Sequence, residues 1–237
     1  MGRYLNDERM HIALGSHPKV SHIHKFGARI GIDTTSKTIW DGADGIYPWS
    51  VFDTPKVLTV VGASDTGKSI TVSGLDANYD RVDETIAVGA TGSVEFKRVY
   101  RAVVETTTNA GLITVTASGT TVMGIQPGNA QTLMCVYTIP RNYTGLVLKG
   151  AASASADKDM IIEFFGRTLD DEGNYKPFRI QHIANIYQNN YVYEFAIPLA
   201  LPEKTDLDVR VVGYSPDAGA KVTAAFDIVL YEMDTDY

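Results

Sequence analysis

Gly62, Gly67, Lys68 and Ser69, within "VLTVVGASDTGKSITVSGLD", satisfy the spacing G-x-x-x-x-G-K-[ST]. In nucleotide hydrolases this loop cradles phosphates on backbone amides and a lysine. It does so only when a buried strand enters the loop and a helix starts at the Lys-Ser pair, aiming its amides and dipole at the anion. Here a strand-like run precedes the loop, but "ITVSGLD" follows Ser69, with three β-branched residues among its first four and then Gly74. Such a run favours an extended chain over a helix. The residues are therefore expected to form a hairpin turn that binds no nucleotide.

Other sets of side chains could hold a cation. Asp76, Asn78 and Asp80 have the 1, 3, 5 spacing of a calcium loop, but Arg81 stands where glycine is needed and Ala87 where a bidentate glutamate is needed. Asp170, Asp171, Glu172 and Asn174 are read as a solvated hairpin tip. Four of five histidines, His11, His17, His22 and His24, fall near the N-terminus, and His22 and His24 would share one face of an extended segment. Without cysteine or a nearby acid at ligand spacing, they are assigned to polar contact with a partner surface, and no metal site is expected. His182, inside "FRIQHIANI", is expected to be a satisfied, partly buried histidine. No G-x-S-x-G elbow occurs, and the lone Cys135 alternates with apolar neighbours as a small buried hydrophobe. The chain is read as a non-enzyme, with no catalytic, cofactor or metal residues.

The elements that must carry these residues are strands. The 237 residues are rich in Val, Ile, Thr, Gly and aromatic residues and lack helical blocks, the composition of an all-β protein. A net charge of −7 is opposite to what a phosphate-neutralising surface needs, so nucleic acid is not an expected partner. With no long apolar stretch, no membrane partner is expected either.

Three segments follow from the pattern. Residues 1–34 carry no sustained period and are read as an extended N-terminal arm dotted with apolar residues: Tyr4, Leu5, Met10, Ile12, Leu14, Val20, Ile23 and Phe26. These residues are assigned to assembly, by strand addition or groove filling on a neighbour, and the body is expected to fold without them. Residues 35–130 read as a β-sandwich-like domain of short alternating runs, and residues 131–237 as a jelly-roll-like β domain. In the latter, "DLDVRVVG" and "VTAAFDIVLYE" each show one apolar face at period two.

The stretch "TVSGLDANYDRVDETIAVGATGSVEFKRVYRAVV" resembles a module of virion structural proteins from tailed phages, above all those of marine bacteria and cyanobacteria. "CVYTIPRNYTG" and "DLDVRVVG" with "VTAAFDIVLYE" are similar to jelly-roll domains of phage head and tail accessory proteins. The resemblance implies no catalytic residue and no cofactor. It implies a virion protein assembled in the host cytoplasm, a homotrimer that docks on other virion proteins, the major capsid protein foremost, as a capsid decoration or head fibre. The alternatives are a neck or tail component (collar, adaptor-associated or fibre-base) and, from another class, a host-glycan-binding module using Tyr187, Tyr191 or Tyr193.

Overall fold

The computed structural model describes residues 8–155, 159–186, 190–215 and 217–233. After a short helix α1 (Glu8–Ala13), the described chain is almost entirely β. Its strands are β1 (Val20–Ile32), β2 (Lys37–Thr38), β3 (Leu58–Val61), β4 (Ser69–Asp76), β5 (Arg81–Ala87), β6 (Phe96–Val104), β7 (Ile113–Ala117), β8 (Thr120–Ile125), β9 (Val136–Thr138), β10 (Tyr143–Ala154), β11 (Met160–Arg167), β12 (Arg179–Ile186), β13 (Asn190–Leu201), β14 (Asp206–Gly213) and β15 (Asp217–Glu232).

Two antiparallel sheets form the larger core. One runs β1-β15-β10-β13, and the other runs β12-β11-β14-β2, with β9 also paired to β14. Their inner faces meet through Val147, Ala152, Ile162, Phe164, Val209, Val222, Phe226 and Ile228, with the Phe164 and Phe226 rings 5.5 Å apart. Cys135 is buried here, as its apolar neighbours predicted. The smaller core lies between sheets β3-β7-β8 and β5-β4-β6, filled by Leu58, Val60, Ile70, Val72, Phe96, Ile113 and Val115. Trp40, Tyr47, Trp49 and Phe52, from the aromatic loop before β3, belong to this core, and their edge-to-face packing closes it.

The segment read as an arm is placed differently. From Val20 to Ile32 it is β1, registered along β15 from Val20 opposite Tyr231 to Ile32 opposite Asp217. Its inward positions carry Lys25, Gly27 and Arg29, all buried, which is why no apolar period announces it. Lys25 donates through Nζ to the Tyr100 carbonyl, and Arg29 Nη1 reaches the carbonyls of Thr38 and Ala43, each at 3.3 Å. A Cβ on Gly27 would lie 2.6 Å from both the Cys135 amide nitrogen and the Ile39 carbonyl oxygen, so only glycine lets β1 cross here. Extended the segment is, but over these residues it is bound within its own chain.

The two cores are joined by buried charge. Arg98 on β6 forks onto Asp206 on β14, which also accepts from Thr138 Oγ1 at 2.7 Å and Arg167 Nε at 2.9 Å. Around this pair the cations alternate with rings. Tyr175 lies between Arg98 (4.6 Å) and Arg167 (4.2 Å), and Phe178 between Arg167 (4.5 Å) and Arg210 (4.9 Å). Desolvated guanidinium-on-ring contacts of this kind each contribute about 1–2 kcal/mol.

Candidate functional site

The glycine-lysine loop is a pair of turns between strands. Asp65 N donates to the Gly62 carbonyl and Lys68 N to the Asp65 carbonyl, each at 3.1 Å, and Gly67 takes φ +87°. Ser69 then opens β4, so no helix N-terminus faces the loop. Lys68 Nζ is held by Asp65 Oδ1 at 2.9 Å and the Thr108 carbonyl at 2.6 Å. The Asp65 carboxylate also accepts the amides of Ala110 and Gly111 at 2.7 and 2.9 Å. With Lys68 and these amides stabilising its charge, it is held down to a pKa of about 2. The lysine that could have met a phosphate clamps one loop to another.

The acidic motifs are turns as well. Asp76 Oδ1 accepts the amides of Asn78 (2.8 Å) and Asp80 (3.0 Å), Tyr79 sits at φ 65°, and Asp80 pairs with Arg141. Asp170 accepts from the amides of Glu172 and Asn174, with Gly173 at φ 82°. These are side chains closing their own backbone turns. Among the described residues, no three of His, Cys, Asp and Glu are grouped to hold a metal ion. His22 and His24 do share a face, and both meet Asp227 Oδ1, at 3.1 and 2.6 Å. His182 is half-buried, bonded to the Tyr191 hydroxyl at 2.9 Å and stacked 4.2 Å from the Tyr193 ring. Tyr191 and Tyr193 thus close the gap between β12 and β13; Tyr187 lies outside the described residues.

Of the residues assigned to assembly, Tyr4 and Leu5 also lie outside the described residues. Met10 and Leu14, on and just after α1, are exposed, and Ile12 is half-buried. Val20 and Ile23 are half-buried in β1, with Ile23 packed on the larger core. Phe26 points outward and is 37% exposed. The structure therefore scatters these residues between helix, strand interior and strand exterior.

Phe26 does belong to a surface that the sequence did not announce, the outer face of sheet β1-β15-β10-β13. Residues opposite one another in antiparallel strands share a face. The register therefore lines up Phe26, Ala225, Ala151 and Val192 across all four strands. Val192 is 66% exposed. Two residues along each strand, the next row is His24, Asp227, Lys149 and Glu194, alternating in charge. Asp227 is bound to its neighbours on both sides, by His24 and by Lys149 Nζ at 3.3 Å. On the far side of the apolar row stand Ala28, Thr223, Ser153 and Asn190. Along the charged row, where Asp227 is buried, α1 lies beside the sheet and a cleft is lined by Arg9, Ile12, Lys149, Glu194 and Asp227. No sequence window could reveal these rows, because each draws one residue from four strands far apart in the chain.

No family model and no characterised protein matches the sequence. Solved structures to which the chain is weakly similar include the infectious bursal disease virus Gx strain (10% identity over 92% of this chain and 76% of that chain, TM-score 0.26). Others are the VP2 subviral particle of the same virus (11%, 90% and 72%, TM-score 0.26) and a lipoprotein from Bacteroides thetaiotaomicron (11%, 89% and 89%, TM-score 0.20). Superpositions this loose carry no argument about function.

Proposed function

We propose that the chain is a non-enzymatic structural subunit of a tailed-phage virion, assembled in the host cytoplasm and docked on the capsid as a decoration or head-fibre protein. The observation that carries this reading is the apolar row of Phe26, Ala225, Ala151 and Val192 across the outer face of sheet β1-β15-β10-β13, exposed at its two ends. Apolar rows left open on a sheet mark surfaces that another protein covers. The β4–β6 segment, with its resemblance to phage virion modules, supports the same reading. So does Lys68, which is engaged by Asp65 and Thr108 and serves a turn.

The test is mass spectrometry of purified particles of the phage that encodes the chain. A copy number near that of the major capsid protein supports decoration. A copy number matching one symmetric ring moves the protein to the neck or tail, and absence from particles removes the reading. The glycan-binding alternative is not favoured, because the Tyr191 hydroxyl is bonded to His182 and the Tyr193 ring is stacked on it.

A further inference from the structure

We infer that the cleft between β1 and the outer face of sheet β5-β4-β6 binds a small oxyanion, a phosphate, sulfate or carboxylate group, through Lys25, Arg81 and Arg101. The inference goes beyond the virion reading and does not depend on it.

The strand register builds one wall of the cleft. Asp83, Ser73 and Arg101 lie opposite one another across β5, β4 and β6, on the face turned away from the smaller core, and Arg81 stands two residues before Asp83 on the same face. Lys25 lines the cleft from β1. The enclosed space is about 490 Å³, the size of a site for a small ligand. The chain as a whole carries a charge of −7, so this grouping of cations is not part of a generally basic surface.

Donors dominate the lining. Lys25 Nζ donates to the Tyr100 carbonyl, Arg81 Nη2 to Ser21 Oγ at 3.3 Å and Arg101 Nη2 to Gln131 Oε1 at 3.4 Å. Arg81 also lies over the Tyr143 ring at 4.7 Å. All of these partners are neutral, and among the described residues no carboxylate pairs with any of the three cations. An ammonium and two guanidinium groups carry many more N–H donors than these bonds use. Thr132 Oγ1 accepts the Ala102 amide at 3.1 Å, which leaves its hydroxyl hydrogen to donate, and Gln131 keeps its amide donors. Against this set the lining offers a single carboxylate, Asp83; His22 and His24, which also line the cleft, are bonded to Asp227.

The cations also work against one another. Lys25 is 7% exposed, and the Arg101 charge adds to burial in disfavouring its ammonium form. A methionine would fill the same place without either penalty, so the fold has no need of the charge. An anion in the cleft turns this mutual repulsion into shared attraction, and a guanidinium can fork onto two of its oxygens.

Binding of sodium sulfate to the full chain, measured by calorimetry against sodium chloride at equal ionic strength, tests the site. Sulfate stabilises proteins generally through exclusion from their surface, but that effect does not saturate. Here binding should saturate at one anion per chain. Arg101→Gln, at an exposed position, and Lys25→Met should each weaken it at least tenfold. Lys176→Gln removes the same charge from an exposed position outside the cleft and should bind as the parent does. Melting of each variant in chloride shows that it is folded. No saturable binding, or a parental affinity in either cleft variant, would overturn the site. Acetate, glucuronate and inorganic phosphate then separate the sources of the anion: glucuronate binding tighter than acetate assigns the cleft to an acidic sugar, and phosphate binding tighter than both assigns it to a tetrahedral anion.

Discussion

Arg98 Nε and Nη2 donate to the two carboxylate oxygens of Asp206 at 2.8 and 2.9 Å, and both side chains are fully buried where the smaller core meets the larger. Removing Asp206 leaves Arg98 as an unpaired buried charge, at a cost of about 3–5 kcal/mol, whereas removing Arg98 leaves Asp206 still paired with Arg167 and Thr138. Asp206→Ala should lower the free energy of unfolding by that amount and Arg98→Ala by less, each seen as a lower urea midpoint. The double variant should cost far less than the sum of the two. Arg98→Lys should not restore stability, since a lysine cannot fork onto the carboxylate while lying over Tyr175. Urea unfolding of the four proteins checks this.

Lys25 is buried between β1 and β6, and burial, the largest influence, pulls its pKa down to about 8. In the unfolded chain a lysine titrates near 10.4. Between these values the unfolded chain holds a proton that the folded chain has released, so stability rises with pH across roughly 8 to 10. Lys25→Met should remove that rise and be more stable than the parent at pH 7. Parallel denaturation series at pH 7 and pH 9.5 separate the two; an equal pH response in both proteins contradicts the assignment.

Truncation separates an arm from a strand. Deleting residues 1–17 removes α1 and leaves β1 whole, and the melting temperature should stay within about 4 °C of the parent. Deleting residues 1–30 takes nearly all of β1 from β15 and uncovers the core beneath it, so that protein should be insoluble or unfolded. Gly27→Ala probes the same crossing with one methyl group. It should cost about 1–3 kcal/mol or more, because both neighbouring atoms belong to backbone.

Lys68→Ala should leave the response to ATP and magnesium unchanged and flat in thermal shift. It should loosen the turn that Asp65 and Lys68 share. Stability lost in acid should also change. The Asp65 carboxylate, with its lowered pKa, stabilises the fold above about pH 4, and that support fades as pH falls toward 2. Without Lys68 the loss should begin at higher pH, which acid titration of the two proteins measures.

Much of this architecture is written locally. The alternation of "SITVSGLD" specifies β4, and with it the failure of the phosphate loop, because β-branched residues and Gly74 act within a single strand. Asp76 and Asp170 close turns with their own neighbours, so those turns are legible from a few residues. What the sequence could not reveal is which side of an alternating strand meets water. In "DLDVRVVG" the apolar positions are plain, and Asp206, Asp208 and Arg210 alternate with them. All three are buried, because the smaller core covers that face with Arg98 and Trp49. β1 was obscured for the same reason, its inward positions being Lys25, Gly27 and Arg29.

By itself, then, the amino-acid sequence determined the alternating strands after β1, the turns and the burial of Cys135, since period and turn chemistry act over a handful of residues. Only the tertiary structure decided that β1 belongs to its own sheet, that carboxylates and guanidinium groups join the two cores, and that Phe26 stands in line with Val192. A side chain's surroundings are set by segments more than a hundred residues away, and strand register alone brings them into one row.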